Sequence, residues 1–320
     1  MGTLTAHGSF VRAVKGKYMV CELLDLSGFY LQRKLLGRKT PLLASVKLTY
    51  KCNLACRMCP FHLRSEGEEA SMSWETAKRV LDELKSAGTR IVVFEGGEPL
   101  LWGDGDRSIR DVLGYARQKF MRVAVTTNGT LPLEVPSDLL WVSLDGLKDI
   151  QDEYRGGSFD RVWANIRRSR HPNMFVHVTM HRGNVGDLEM LFSELKDVPG
   201  VRGITVQLFY RYGQGEQDLA LAPGERRRAL EKVIEMKKRG FPIINSVSRL
   251  RSMIGNTWRC HDDILINADP DGKITTGCYA RNRGAVDCAG CGFTPVAEAS
   301  GALDLSPGPI IAGFRTFLSR

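Results

Sequence analysis

The sequence predicts an α/β fold in which six parallel strands form an incomplete, TIM-like barrel. Between residues 44 and 240, strand-like apolar runs alternate with helix-like patterns, and this order implies parallel strands joined by right-handed crossovers. The composition, 43% hydrophobic and 25% charged, is that of an ordinary globular protein with a sizeable core. Six such units make a partial (β/α)6 barrel. The predicted strands are 46–50, 90–94, 123–127, 139–144, 174–180 and 203–208.

Helix boundaries follow from capping residues. Ser73 predicts the start of the first crossover helix, because its side chain can accept a hydrogen bond from a free backbone N–H. Gly88 predicts the end of that helix. Pro223 opens a long charged helix that Gly240 ends. Further helices are predicted over 108–119, 159–170 and 185–195.

The chain divides into four predicted regions: an N-terminal basic amphipathic extension (1–43), the barrel (44–240), a cysteine-bearing extension (241–295) and a tail (296–320). Apolar residues in 21–36 recur close to helical spacing, although Gly28 weakens the pattern. Such a helix can lie on a membrane surface, or it can pack on the barrel with its basic side chains solvated. The basic cluster at its end is Arg33, Lys34, Arg38 and Lys39.

Charge and cysteine content limit the partners and the compartment. The net charge of +9 favours a polyanionic partner, a membrane surface or an acidic substrate, or simply a basic enzyme without one. We expect no nucleic-acid partner. No apolar run is long enough to span a membrane, and residues 1–20 lack the apolar core of a secretory signal. Eight cysteines in such a chain favour metal ligation in a reducing compartment. We therefore expect a cytoplasmic protein, at most peripheral on the inner face of the membrane.

Three cysteines lie on the loop that leaves the first predicted strand. Cys52, Cys56 and Cys59 have C-x3-C-x2-C spacing. A cubane iron–sulfur cluster normally takes four thiolates, so three thiolates would leave one iron open to a small molecule. The alternative is a tetrahedral zinc site completed by His62 or by another cysteine.

Polar and glycine-rich motifs follow the next three strands. In parallel α/β barrels the carboxyl ends of the strands carry the active site. The second strand ends in Glu95-Gly96-Gly97-Glu98-Pro99, where glycines allow close backbone approach to a ligand. The third ends in Thr126-Thr127-Asn128-Gly129 and the fourth in Ser143-Leu144-Asp145-Gly146. An ordinary turn at Asn128 and a helix cap at Asp145 are the alternatives.

The cysteine spacing followed by Gly-Gly-Glu-Pro resembles the radical S-adenosylmethionine (SAM) enzymes. The resemblance implies a [4Fe–4S] cluster on Cys52, Cys56 and Cys59, whose fourth iron SAM chelates. Reductive cleavage would then give methionine and a 5′-deoxyadenosyl radical, with an electron donor such as flavodoxin or ferredoxin. The SAM-binding residues that it implies are Met58 at the adenine, Gly96, Gly97, Glu98 and Pro99 at the amino group, Asn128, Ser143 and Asp145 at the methionyl and ribose parts, and Arg182 at the carboxylate or the substrate.

A second cysteine group lies downstream. Cys260, Cys278, Cys288 and Cys291 have C-x17-C-x9-C-x2-C spacing, with a predicted hairpin turn over 269–272. Four thiolates would satisfy a complete cubane, or a structural zinc ion. The pattern resembles the twitch or shortened SPASM extension, which carries an auxiliary cluster. The remaining Cys21 is expected to be a buried small apolar residue.

Substrate expectations also rest on resemblance. Residues 35–42, 210–225 and 288–293 resemble the adenosyl-transferring enzymes of hopanoid synthesis, which implies a lipid or isoprenoid substrate. The extension also resembles peptide-modifying and alcohol-oxidising enzymes, so a peptide maturase or a small-molecule dehydrogenase is the alternative. A protein of another class, an iron–sulfur electron carrier or a zinc protein, would not need the ligand-binding loops at 95–99 and 143–146.

Overall fold

The computed structural model describes residues 5–59, 61, 70–211, 216–281 and 286–319, with side chains from residue 20 onward. The predicted zinc candidate His62 lies outside these ranges. The chain divides into two compact units, Met1–Thr40 and Pro41–Arg320.

An eight-stranded sheet forms the second unit. Its order is β10-β9-β1-β2-β5-β6-β7-β8, and all neighbours pair in parallel except β10 with β9. The six predicted strands correspond to β1, β2 and β5 to β8, so the predicted parallel α/β class is confirmed. The strands are β1 Leu43–Thr49, β2 Ile91–Gly96, β3 Gly103–Asp104, β4 Arg107–Ser108, β5 Arg122–Thr127, β6 Leu139–Ser143, β7 Met174–Met180, β8 Val201–Leu208, β9 Leu265–Ala268 and β10 Ile274–Thr276.

The crossover helices begin and end where the capping residues predict. The Ser73 side chain accepts a hydrogen bond from the N–H of Thr76, and Gly88 and Gly240 have positive φ angles of 89° and 92°. The sequence analysis does not predict the helices α4 and α8 to α10. The helices are α1 Thr5–Leu35, α2 Trp74–Ser86, α3 Ile109–Arg117, α4 Lys148–Tyr154, α5 Phe159–Arg168, α6 Leu188–Lys196, α7 Pro223–Lys238, α8 Val247–Ile254, α9 Thr294–Leu303 and α10 Pro307–Phe317.

The cysteine-bearing extension contributes two strands to the main sheet. β9 pairs in parallel with β1, and β10 returns antiparallel through the predicted turn, where the N–H of Gly272 donates to the carbonyl of Asp269 at 2.8 Å. Because β9 has only four residues, its periodicity could not identify it as a strand. The predicted boundary between barrel and extension stays a prediction.

Burial alternates along the strands and defines an interior lumen. One face of each strand packs against helices in the main core, as Val46, Phe94 and Val176 do. The other face is partly accessible, and since alternate residues of a strand share a face, these side chains line one lumen. They are Ser45, Val93, Glu95, Thr126, Trp141, His177, Thr179, Thr205 and Gln207.

An apolar layer closes the end of this lumen at which the strands begin. Phe317 of α10 packs against Trp141, with ring centroids 6.0 Å apart, and Trp141 packs against Phe175 at 6.1 Å. Arg122 is buried and donates through its Nε to the carbonyl of Phe317. The opposite end, where the strands finish, is therefore the one at which ligands can enter.

The first unit contains α1, which continues through Gly28 without interruption. Leu24, Leu31 and Leu35 are 67%, 56% and 75% exposed, and their spacing places them along one stripe of the helix. Gly37 ends this segment with a positive φ of 63°. Within the described ranges, no helix has both the length and the apolar character needed to cross a membrane.

Replacing Phe317 with Ala should lower the free energy of unfolding by about 2 kcal/mol. This loss is smaller than that for replacing a fully buried phenylalanine, because the ring of Phe317 is only partly buried against Trp141. Urea unfolding followed by circular dichroism measures the change. Phe314→Ala on the same helix is the matched control, since Phe314 is 40% exposed. Equal losses in the two variants would contradict a closing role for Phe317.

Candidate active site

The first cysteine group lies on the loop that follows β1. Cys56 is buried, while Cys52 and Cys59 are partly exposed. The N–H of Cys59 donates to the carbonyl of Cys56 at 3.1 Å. Burial raises the pKa of Cys56 to about 11, and the neighbouring charges of Cys59 and Cys52 raise it further, against a lowering effect of Arg155. The thiol of Cys56 is therefore protonated at neutral pH without a metal, and binding iron there must release its proton.

Asn128 connects this loop to the end of β5. Its Nδ2 donates to the Oδ1 of Asn53 at 2.8 Å and lies 3.6 Å from the sulfur of Cys52. Its Oδ1 accepts from the N–H of Thr130 at 2.9 Å, and the Nδ2 of Asn53 donates to Thr130 as well. The predicted SAM-binding residue Asn128 thus also fixes the position of the first cysteine.

The glycines of the second motif accommodate the protein's own cysteine loop. A Cβ on Gly97 would lie 2.3 Å from the carbonyl oxygen of Lys51 and 2.5 Å from that of Tyr50. Gly96 has a positive φ of 122°. The sequence predicts close approach by a ligand here, and the structure places the backbone of the chain itself against Gly97.

Glu98 is fully buried and accepts hydrogen bonds from three protein groups. Its Oε1 accepts from the N–H of Leu100 at 3.0 Å and from the hydroxyl of Thr127 at 2.8 Å. Its Oε2 accepts from the N–H of Asn128 at 2.7 Å. Burial raises the pKa of Glu98 to about 7, against the opposing effect of these donors. The carboxylate joins the end of β2 to the end of β5, followed by Pro99 at the start of a short 3-10 turn.

Asp145 is fully buried beside an arginine that the sequence analysis missed. Its Oδ2 accepts from the Nε of Arg155 at 2.6 Å, and its Oδ1 accepts from the N–H of Thr179 at 2.7 Å. Arg155 follows α4, and its charge lowers the pKa of Cys56. Both oxygens of Asp145, predicted to bind ribose hydroxyls, already have protein donors. No local pattern marks Arg155, because its partner Asp145 lies ten residues away, outside any regular helix or strand spacing, and the cysteine loop is distant in the sequence.

Met58 lies in a small apolar cluster beside the cysteines. It is buried together with Cys56, Tyr154 and Phe209. The ring of Tyr154 lies 4.4 Å from that of His181. An apolar cluster next to the cysteine loop suits a flat aromatic group such as adenine.

The two remaining predicted SAM ligands differ in their surroundings. Ser143 is buried at the end of β6, where it pairs in register with His177. Arg182 is half exposed, and its Nε and Nη2 both donate to Glu225 at 3.2 Å. Its Nη1 donates to the carbonyl of Asp218. Arg182 is therefore engaged with the start of α7.

The fold brings the second cysteine group together from three segments. The pKa of Cys291 is raised by burial and by the nearby charges of Cys278 and Cys288. The pKa of Cys260 is raised by desolvation and by Asp262, Cys291 and Cys278. Across the described ranges, no three His, Cys, Asp or Glu side chains are arranged around one metal ion. Zinc needs its ligands converged on one point, whereas a cubane takes one thiolate at each of its separate irons.

The donor set at the first group fits an iron–sulfur cluster with a bound anionic ligand. Three thiols share one loop, an apolar cluster lies on one side, and the guanidinium of Arg155 lies on another. Of the Arg155 nitrogens, Nε is bonded to Asp145. Within the described residues, no hydrogen bond from Nη1 or Nη2 is found, so these groups can serve a carboxylate.

Comparison with known proteins identifies the same region. Residues 46–195 match the family model of the radical SAM superfamily. The chain is 31% identical over 215 residues to the Fe-coproporphyrin III synthase of Methanosarcina barkeri, covering 61% of this chain and 52% of that protein. It is 27% identical over 239 residues to the antilisterial bacteriocin subtilosin biosynthesis protein AlbA of Bacillus subtilis, covering 68% and 52%. The chain thus spans about half the length of these relatives.

A solved structure has a similar fold. Streptococcus suis SuiB bound to its precursor peptide SuiA superposes with a TM-score of 0.61 at 16% identity, covering 88% of this chain and 68% of that one. At this identity the likeness concerns the fold alone.

The raised pKa of Glu98 predicts a pH-dependent contribution to stability. The pKa of Glu98 is about 7 in the folded protein, against an ordinary value of 4.5. Between these two pH values the folded state binds more protons than the unfolded state. The contribution of Glu98 to the free energy of unfolding is therefore lost as the pH rises from about 4.5 to about 7. We compare the metal-free wild type with the metal-free Glu98→Gln variant. The difference between their free energies of unfolding (wild type minus variant) should fall as the pH rises through this range.

Urea unfolding at several pH values measures this difference. Glu298→Gln is the positive control, since burial also raises the pKa of Glu298 to about 7. A wild-type minus Glu98→Gln difference that does not vary with pH would mean that the three donors keep Glu98 ionised throughout.

Proposed function

The chain belongs to the radical SAM superfamily, and on that premise we propose that it modifies a peptide substrate. Cys52, Cys56 and Cys59 hold the [4Fe–4S] cluster in this proposal. When bound, the cluster and SAM supply a 5′-deoxyadenosyl radical that removes a hydrogen atom from the substrate.

The residues around the cysteine loop have distinct parts in this proposal. Met58, with Tyr154 and Phe209, contacts the adenine, and Arg155 binds the SAM carboxylate through its free nitrogens. Asp145 positions Arg155 through the 2.6 Å contact with its Nε. Glu98 is a positioning residue, because its carboxylate already has three protein donors.

The backbone and smaller groups complete the SAM site. The backbone of Gly96, Gly97 and Pro99 borders the amino group of SAM, and Asn128 and Ser143 border its methionyl and ribose parts. Arg182 is assigned instead to holding α7 through Glu225.

The polar lumen is the observation that supports a peptide. A triterpene needs an apolar pocket, since burying unpaired polar groups against it costs free energy. Here the lumen carries Glu95, which forms an ion pair with the buried Lys47 at 3.2 Å. On the opposite side, His177 bonds to Thr205 at 3.0 Å. Side chains of this kind can pair with the amide and hydroxyl groups of a peptide. The relative named for bacteriocin biosynthesis supports the same class.

A tetrapyrrole is the second candidate. The relative named as a Fe-coproporphyrin III synthase is 31% identical over 61% of this chain. The buried ammonium of Lys47 lies 3.8 Å from the centre of the Tyr279 ring, and it also pairs with Glu95, a residue of the lumen that such a substrate would enter. The lipid or isoprenoid substrate expected first from the sequence receives no support from the lumen.

We place an auxiliary cluster at the second cysteine group. Cys260, Cys278, Cys288 and Cys291 supply four thiolates, which satisfy a cubane completely. Such a cluster would exchange an electron with the substrate or with an external donor such as flavodoxin or ferredoxin. A cytoplasmic location, peripheral association with the membrane and the absence of a nucleic-acid partner stay predictions.

His177→Leu tests the lumen and the substrate class together. The reconstituted chain is incubated with SAM, dithionite and either synthetic peptides from short reading frames beside its gene or a set of tetrapyrroles with and without iron. We expect a mass change in a peptide with the wild type, and at least about a tenfold loss of that product in His177→Leu, because a substrate polar group would be left unpaired. Formation of 5′-deoxyadenosine without substrate should be unchanged.

Exposed Glu194→Gln is the control and should behave as the wild type. A mass change confined to a tetrapyrrole would replace the peptide as the substrate class. A protein that forms no 5′-deoxyadenosine under any condition would contradict the radical SAM activity itself.

The exposed leucines of the N-terminal helix and the basic residues at its end predict that this segment binds anionic membranes. Leu24, Leu31 and Leu35 are exposed along one stripe, and each basic residue near the surface would contribute about 1 kcal/mol of attraction. The full chain should co-sediment with vesicles containing phosphatidylserine at low salt and less at physiological salt. Changing Arg33, Lys34, Arg38 and Lys39 to Gln should abolish this binding. Retention in the supernatant under all conditions would leave the basic cluster as an ordinary solvated surface.

A further inference from the structure

A single arginine of α7 binds the loop that carries two of the four downstream cysteines. The Nη1 of Arg226 donates to the carbonyl of Gly290 at 2.9 Å, and its Nη2 donates to the carbonyl of Cys291 at 2.8 Å. Its Nε donates to the carbonyl of Met253 at 2.7 Å. One planar guanidinium thereby joins α7, the end of α8 and the Cys288–Cys291 loop.

Asn256 completes the attachment of the same loop. Its Nδ2 donates to the carbonyls of Cys288 and of Ala289, the latter at 3.0 Å. Its Oδ1 accepts from the indole N–H of Trp258 at 2.8 Å and from Arg226 at 3.3 Å. Asn256 has a positive φ of 53°, a conformation that asparagine tolerates better than most residues. Two side chains thus bind the carbonyls of four successive residues. Asn256 binds those of 288 and 289, and Arg226 binds those of 290 and 291.

Within the described residues, Arg226 makes no hydrogen bond to a carboxylate. Its hydrogen-bond acceptors in the described part of the chain are carbonyl and amide oxygens, and no ion pair of Arg226 is found there. The nearest acidic side chain in the loop, Asp287, accepts from the N–H of Gly290 at 3.1 Å and pairs with Arg211 at 3.7 Å. Burial lowers the pKa of Arg226, while the nearby charges of Cys291 and Asp287 raise it. A half-buried cation whose hydrogen bonds all go to neutral groups is stabilised by such anionic neighbours.

We propose that Arg226 positions the Cys288–Cys291 loop for ligation and raises the reduction potential of the cluster bound there. The inference rests on the auxiliary cluster placed at this group under the proposed function. Reduction adds one electron, and so one negative charge, to a cluster that four thiolates already make anionic. A fixed positive charge beside Cys291 stabilises the reduced form more than the oxidised form.

A second arginine at this group differs in one respect. Arg281 lies against Cys288 and forms an ion pair with Asp262 at 2.9 Å. Because Asp262 offsets its charge, Arg281 should influence the potential less than Arg226. The cluster would then take up an electron more readily than one surrounded by neutral groups, which suits an electron acceptor.

The experiment uses the full chain with Cys52, Cys56 and Cys59 changed to Ala, so that the second cluster alone remains after anaerobic reconstitution. In this parent, Arg226→Gln removes the charge and Arg226→Lys keeps it. Arg227→Gln is the matched control, since Arg227 is exposed one residue further along α7 and pairs with Glu231. Iron and zinc are counted, and the midpoint potential is measured by potentiometric titration followed by electron paramagnetic resonance.

We expect about four irons in the parent. The midpoint should move to more negative potential in Arg226→Gln, whereas Arg226→Lys and Arg227→Gln should stay near the parent value. An Arg226→Gln protein that holds no iron but has a native circular dichroism spectrum would support the positioning role, provided that Arg227→Gln retains its iron.

Two results would overturn the proposal, and they are distinguishable. If Arg226→Gln has the same iron content and the same midpoint potential as the parent, Arg226 has neither role, and the auxiliary cluster stays in place. A parent that holds zinc, or no metal, would remove the cluster and the role together.

Discussion

The buried carboxylate of Glu98 is the contact on which the geometry of the candidate site depends. It lies at the end of β2 and accepts hydrogen bonds from the backbone and side chain at the end of β5 and from the turn after Pro99. A carboxylate without water would be costly to bury, and its three donors reduce that cost. Because Asn128 donates to Glu98 and also bonds to Asn53 in the cysteine loop, the position of the thiols depends on this buried acid.

Close backbone packing supplies the second constraint. The N–H of Gly97 donates to the carbonyl of Thr49, and the N–H of Glu98 donates to that of Lys51, both at 2.9 Å. A side chain at Gly97 would overlap the cysteine loop. The glycine pair therefore lets the ends of β1 and β2 lie together, so that the cysteines project from one edge of the sheet. The same residues that a ligand-binding motif requires are needed to hold the loop.

The lumen beneath this site combines an apolar floor with polar walls. Phe317, Trp141 and Phe175 close one end. Above them, the buried Lys47 pairs with Glu95, and its ammonium lies over the ring of Tyr279, next to Cys278. Lys47 thus connects the first strand to the segment that carries the downstream cysteines. Burying the ammonium of Lys47 would be costly without a partner, and Glu95, whose side chain is 37% exposed, supplies that partner from the lumen.

Local patterns in the sequence determined the parallel strands, their order along the chain, the caps at Ser73 and Gly88, and the position of the first cysteine group. Each of these depends on residues close together in the sequence, through periodicity, capping chemistry or spacing. The tertiary structure alone decided that β9 joins β1, that Asp145 is occupied by Arg155, and that Arg226 binds a loop 65 residues further along. Such contacts depend on how segments are placed in three dimensions, even where only ten residues separate the partners, as for Asp145 and Arg155. The sequence offers carboxylates and arginines as candidates, but the fold determines which of them are already paired and which remain free to bind a ligand.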